Sequence, residues 1–247
     1  SPRHAGVFSP GGNPAILPPM RAILLLMLCL SLMACGRPLT EAEAAYMADL
    51  QGETLDTSAV RIVQNPLIGL GTRRYPARPQ TNCRERIWPP PEEDYIEVRT
   101  AGLVLFDTLH VRQEYWLPDY VAARDGRRSL AAAMFFAHEM THVWQWQNRD
   151  VTGYHPVRAF TEHVRIEDPY LFDPHDDRSF LDYGYEVQGS LVEEYVCCRA
   201  VDPGGARTAR LEALIGQVMP VTPLQSRADD VAEVVPWEGA NLHGVCS

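Results

Sequence analysis

The chain has 247 residues, 46% hydrophobic and 22% charged, which is the composition of a folded globular protein and excludes wholesale disorder, collagen and coiled coil. All 22 basic residues are Arg, set against 32 acids for a formal charge of −10. An acidic chain with no basic block cannot readily neutralise phosphates, so nucleic acid is excluded as a partner. The lack of Lys removes Schiff-base and Walker-type chemistry as well.

The most apolar run, Ala22 to Ala34, follows Met20-Arg21 and precedes Cys35-Gly36. It is shorter than the roughly 20 residues a membrane-spanning helix needs, and its flanks suit a secretory signal peptide. Leu32-Met33-Ala34-Cys35-Gly36 resembles the lipobox of bacterial lipoproteins. That resemblance implies lipidation at Cys35, a membrane anchor through the lipid, and residence on the periplasmic face of the outer membrane. Met33 departs from the small residue usual in a lipobox. The expected organisation is upstream residues and signal over 1–34, a tether with a short helix over 35–60, and one folded domain over 61–247.

Thr40 and Glu43 form a capping-box pair that opens a short helix ending near Leu50. Proline at 66, 76, 79 and 89–91 makes 61–94 loop and short strand. Tyr95–Arg99, Gly102–Phe106 and Thr108–Trp116 read as strands, the last with alternating apolar residues. Ser129 then caps a long helix from Leu130 to about Asn148, apolar on nearly every side and therefore central. Residues 149–181 read as the longest irregular stretch, one wall of a cleft. A second helix runs from about Asp182 to Val201, stopped by Asp202-Pro203-Gly204-Gly205, and a third from about Ala206 to Val218.

Once the signal is removed, Cys83, Cys197, Cys198 and Cys246 remain for two disulfides, with three possible pairings. A bond between the adjacent Cys197 and Cys198 is strained, so each is expected to pair with a distant partner. A thiolate metal site is the alternative, though no C-x-x-C spacing supports it.

The central helix carries His138-Glu139-Met140-Thr141-His142. Residues four apart share a helical face, so both imidazoles can reach one ion. Glu139 is turned about 100° from His138, close enough to serve a water on the metal without ligating. Zn²⁺ lowers the pKa of such a water to about 7, and a carboxylate can take its proton as a general base. Buried among Phe135, Phe136, Ala137 and Val143, two imidazoles and a carboxylate need a partner, which a cation supplies. Mn²⁺ or Co²⁺ could replace zinc on such ligands.

Over Thr108 to Gln147, the strand, loop and Ala137-His138-Glu139-Met140-Thr141-His142-Val143-Trp144-Gln145 resemble bacterial zinc metallopeptidase domains of the gluzincin-like type, with their A-H-E-L-T-H-V-V-Q motif. Trp144 and Trp146 are bulkier than that pattern. Gln145 and Asn148 stand where a metzincin needs Gly and His, which excludes that class. The resemblance implies an α+β, zincin-like fold: a small sheet packed on the HExxH helix and on a second, ligand-bearing helix. It implies a third ligand from that second helix, for which Glu186 is chosen, with Glu193 as an outer partner of a His ring. His155, His163 and His175 are rival ligands. Tyr183, Tyr185, Tyr154 and His155 are candidate oxyanion donors, with nothing to choose between them. The implied function is zinc-dependent hydrolysis of peptide bonds in the cell envelope, on a peptide or protein substrate. Two rivals use the same residues: a catalytically idle zinc-binding lipoprotein that acts as a binding module, and a cell-wall amidase.

Overall fold

The structure, a computed structural model, describes residues 36–77, 79–173, 176–222 and 231–247. The expected signal segment and lipidation site at Cys35, together with His175, lie outside the described residues. Gly36–Ser247 forms one compact unit of mixed α and β structure, with three small sheets. Among the described residues, no helix is long and apolar enough to cross a membrane.

Helix α1, Glu41–Gln51, starts at the expected capping box: Glu43 N donates to Thr40 Oγ1 (3.1 Å) and Thr40 N to Glu43 Oε2 (2.9 Å). Tyr46, Met47 and Leu50 of α1 are buried in the common core. Arg37 pairs with Ile62 through two backbone hydrogen bonds. The 36–60 segment expected to be a tether is therefore built into the domain, because its helix has an apolar face to bury.

Strands β1 (Arg61–Gln64), β2 (Thr72–Pro76), β3 (Tyr95–Arg99), β4 (Gly102–Leu105) and β5 (Thr108–Val111) follow. The main sheet has the order β1-β5-β4; β5 runs parallel to β1 and antiparallel to β4. Ile62, Leu109 and Val104 lie in register across it and point into the core. A separate antiparallel pair joins β2 to β3. The one-turn helix α2, Cys83–Arg86, sits in the long connection between them.

Strand β6 (Arg127–Ser129) leads directly into α3, Leu130–Gln147, with Ser129 Oγ accepting from Ala132 N (3.3 Å). Leu130, Met134, Phe136, Ala137, Met140 and Val143 of α3 are essentially inaccessible, as its all-round apolar pattern requires. The short helices α4, Arg149–Thr152, and α5, Pro156–Arg165, come next. Helix α5 is the main departure from the expected irregular stretch over 149–181. It starts on Pro156 with His155 as its cap, and its apolar residues Val157, Phe160 and Val164 recur at helical spacing, yet they stay exposed instead of packing on the core. Helices α6, Tyr185–Val201, and α7, Ala206–Ile215, follow, and β7, Ala232–Val234, returns to pair in parallel with β6. Helix α6 packs along α3 and forms the centre of the molecule.

The disulfides are Cys83–Cys197 and Cys198–Cys246, so each adjacent cysteine takes a distant partner. They tie α2 and the C-terminal residues to α6.

Glu43 does more than cap. Its carboxylate, wholly buried, accepts from Arg37 Nη1 (2.7 Å), Arg37 Nη2 (2.8 Å) and Tyr120 N (3.0 Å). Removing it would strand a guanidinium and a backbone donor. Glu43→Ala is expected to lower stability by about 3 kcal/mol in urea unfolding, with the slope unchanged. A loss below about 1 kcal/mol would show that the cluster is not a structural anchor.

Candidate metal centre

Helix α3 presents His138 and His142 one turn apart, and α6 brings Glu186 against both. Glu186 Oε2 lies 3.4 Å from His138 Nε2 and 3.4 Å from His142 Nε2. One donor atom from each residue can be chosen so that all three lie within 4.8 Å of one another. A tetrahedral ion with bonds of about 2.0–2.1 Å has ligand–ligand edges of about 3.3–3.4 Å, which the two edges from Glu186 to the imidazoles match. Both imidazoles and the carboxylate are nearly buried, with the open side facing a cavity of about 620 Å³.

Close packing of α6 on α3 makes this possible. A Cβ at Gly189 would lie 2.9–3.1 Å from ring atoms of His138, so only the bare backbone allows that ring to stand between the helices. On the other side, strand β4 passes just as closely over Glu139: a Cβ at Gly102 would come 2.5 Å from Glu139 Oε1. Glu139 thus lies beneath an edge strand of the main sheet and lines the cavity beside the two imidazoles.

The second nitrogen of each imidazole is also engaged. Glu193 Oε2 approaches His138 Nδ1 at 3.4 Å and accepts from Arg84 Nη1 (3.0 Å). His142 Nδ1 lies 2.9 Å from Gln145 Oε1. Gln145 Nε2 in turn donates to Gln188 Oε1 and to Tyr185 O, both at 2.9 Å, and Gln188 Nε2 donates to Tyr183 O (2.8 Å). This amide pair fixes His142 with its proton on Nδ1, leaving Nε2 to face Glu186.

Electrostatically the site is poised for a cation. Burial opposes charge on His138, but Glu186 and Glu193 outweigh it and push the imidazole up to about 10. Burial would likewise raise Glu186, yet the two imidazoles hold it well below the usual carboxylate range. Glu139 is raised, by burial first, with the imidazoles only partly offsetting it. Three carboxylates thus crowd two imidazoles, and protons stand in for a positive ion.

The sequence reasoning placed His138, Glu139, His142, Glu186 and Glu193 in one constellation, and the structure brings all five together. Of the expected oxyanion donors it brings Tyr154 to the cavity, beside Tyr170 and His163. The other three point elsewhere: Tyr185 donates its hydroxyl to Gly153 O (2.8 Å), Tyr183 directs its own at Asp176 O (3.4 Å), and His155 caps α5. His163, a rival ligand by the sequence, belongs to α5 and approaches Glu186 Oε1 at 3.5 Å. Gln145 ends the motif that resembles the metallopeptidase domains and argues against a metzincin, but its contact with His142 is not among those expectations. Its position three residues after His142 was the available signal for its contact. Arg84, far away in sequence, gave none.

No family profile matches the chain. Over 165 residues it is 30% identical to the type VI secretion system spike protein VgrG2b of Pseudomonas aeruginosa; this covers 65% of the chain but only 13% of that protein. The solved effector domain of Pseudomonas aeruginosa VgrG2b aligns with a TM-score of 0.44 and 20% identity, covering 78% of this chain and 95% of the domain. The sequence relative corrects the resemblance drawn from the HExxH segment: the similarity runs to a type VI secretion spike protein, not to gluzincin-like metallopeptidases on lipoproteins. Peptide-bond hydrolysis in the envelope, an idle zinc-binding lipoprotein and a cell-wall amidase find no support in it, nor do the broader labels of metalloprotease, hydrolase and lipoprotein. The motif misled because some 40 residues around two histidines describe one helix and not the protein that carries it.

The carboxylates keep a proton on His138 that a cation must displace. Zinc affinity is therefore expected to rise with pH from about 6.5 towards 10, by about tenfold per pH unit for each proton released. Competition against a chelator of known affinity measures this. A flat profile would mean that His138 is already neutral.

Proposed function

We propose that the chain is an effector-type domain of the kind carried by type VI secretion spikes, and that it is a zinc-dependent, water-activating enzyme. The observation that carries the metal reading is the placement of Glu186 at 3.4 Å from each of two imidazole nitrogens. The effector reading rests on the 30% identity to VgrG2b, of which the chain spans 13%, so the spike protein's own activity and partners are not carried over.

His138, His142 and Glu186 would hold the ion. When bound, zinc supplies Lewis-acid charge and brings water into an ionisable range near neutral pH. Glu139, lifted by burial and facing the cavity, is suited to accept the proton of that water on a carboxylate oxygen. Gln145 and Glu193 orient the imidazoles, and β4 closes over Glu139 to limit access of bulk water. The zincin-like part of the fold reading belongs to this proposal: a small sheet lies over the HExxH helix, and a carboxylate arrives from a second helix. The substrate would meet an opening bordered by Leu67, Leu70, Leu103 and Phe160, so an apolar group beside the reacting atom is favoured. Two disulfides suit action in an oxidising compartment outside the cytosol.

Metal analysis of the purified chain should give one zinc per molecule. Glu186→Ala should lower its affinity by 10-fold or more, about 1.4 kcal/mol. Glu139→Gln leaves all three donors in place and should retain zinc. Loss of zinc in Glu139→Gln, or unchanged metal content in Glu186→Ala, would overturn the assignment.

A further inference from the structure

The Cys83–Cys197 disulfide lies one residue from Arg84, and Arg84 joins two walls of the metal centre. Its Nη1 donates to Glu193 Oε2 (3.0 Å), the carboxylate that approaches His138 Nδ1 (3.4 Å). Its Nη2 donates to Tyr170 O (2.9 Å), whose ring lies beside both His138 and His163 at centroid distances of 6.0 and 5.9 Å. The guanidinium also sits over Phe172, 5.7 Å from the ring centroid. Arg84 is nearly buried, so these contacts are made out of water.

Arg84 is carried on a short element, anchored at its end by the buried side chain of Ile87. Helix α2 is a single turn and has no stability of its own. It stands midway along the proline-rich connection between β2 and β3. Two attachments fix it to α6. One is the Cys83–Cys197 bond; the other is the wholly buried Glu194, which accepts from Cys83 N (2.9 Å) and Arg84 N (3.0 Å). Cys197 is four residues, one helical turn, beyond Glu193, so the bond and the carboxylate lie on the same face of α6.

We propose that Arg84 is a positioning residue through which the Cys83–Cys197 disulfide arms the metal centre: the oxidised chain holds Glu193 against His138, and the reduced chain lets it go. Reduction by a dithiol breaks the S–S bond with two electrons and two protons, leaving two cysteine thiols on the chain and a disulfide on the reductant. A disulfide oxidant reverses the step. With the bond open, α2 keeps the hydrogen bonds to Glu194 and the buried side chain of Ile87, but Arg84 loses the covalent base from which it reaches Glu193 and the Tyr170 segment. Such a domain would be loose in a reducing cytosol and complete in an oxidising compartment. The inference deepens the zinc reading and rests on it for its affinity readout, while a second readout needs no metal.

The experiment compares four full-length chains: wild type, C83A/C197A, R84M and the triple variant, with C198A/C246A as a control for general loss of a disulfide. Zinc affinity by chelator competition should fall about tenfold or more in C83A/C197A and equally in R84M, which keeps both disulfides. The triple variant should show no further loss, and C198A/C246A should bind as wild type does. In metal-free protein, the ¹⁵N shifts of the His138 ring should move in C83A/C197A and move in the same direction in R84M. Wild-type affinity and unchanged His138 shifts in R84M overturn the proposal whether or not C83A/C197A folds. Losses that multiply in the triple variant overturn the route through Arg84. A wild-type chain that binds no zinc overturns the zinc reading instead, and the metal-free shifts still decide the coupling.

Discussion

Glu186 can meet two imidazoles at once only because α6 lies unusually close to α3, and that closeness rests on the absence of a side chain at Gly189. Any larger residue there would push against the ring of His138, and the carboxylate would lose one or both of its 3.4 Å approaches. The rest of the molecule serves this contact. The apolar faces of Met134, Ala137, Met140 and Val143 on one helix, and of Leu191, Val192 and Tyr195 on the other, bury the seam. The sheet lies against α3, where Gly102 of β4 allows the backbone to pass over Glu139.

Burial of so many carboxylates would be costly if they were unpaired. Here Glu194, Glu193, Glu186 and Glu162 have partners suited to their depth. Glu194 accepts two backbone donors and Arg207, Glu193 is shared between Arg84 and His138, and Glu186 faces three imidazoles. Glu162, whose carboxyl is raised by burial first, accepts from the Glu186 backbone N–H (3.3 Å). Negative charge is therefore concentrated where a cation fits and tied off elsewhere. The amide pair Gln145–Gln188 does its orienting without adding charge, which leaves the balance at the ligands undisturbed.

The parts of this arrangement that follow from local rules were legible in the sequence. Thr40 with Glu43, Ser129, the apolar surround of α3, and the stop at Asp202-Pro203-Gly204-Gly205 fixed three helices to within a few residues. The spacing of His138 and His142, and that of Glu186 and Glu193, expressed helical periodicity and so survived into three dimensions. Long-range features were not legible. Helix α5 does carry a helical stripe, Val157, Phe160 and Val164, but between Gly153 and the Asp- and Pro-punctuated stretch after it the stripe is short, and it faces solvent instead of the core. The approach of Arg84 depends on a connection folding back over a hundred positions of chain. Tyr183 and Tyr185 failed as cavity residues because neighbours in sequence on a helix start point to different sides, and each hydroxyl finds a carbonyl elsewhere. The wider identity was misread for a related reason: a short motif reports the metal-binding chemistry of one helix, while the similarity to a secretion spike is spread over 165 residues.

The parallel pairing of β6 with β7 has a consequence for how the domain is made. Arg127–Ser129 hydrogen-bonds to Ala232–Val234, with Arg128 and Glu233 in contact at 3.0 Å, immediately ahead of the helix that bears both imidazoles. A ribosome delivers His138 and His142 long before it delivers Glu186, and the strand that braces their helix emerges later still. During synthesis the two imidazoles therefore sit on an unbraced helix with no carboxylate opposite, so the three-donor cluster is a property of the finished domain rather than of any nascent fragment.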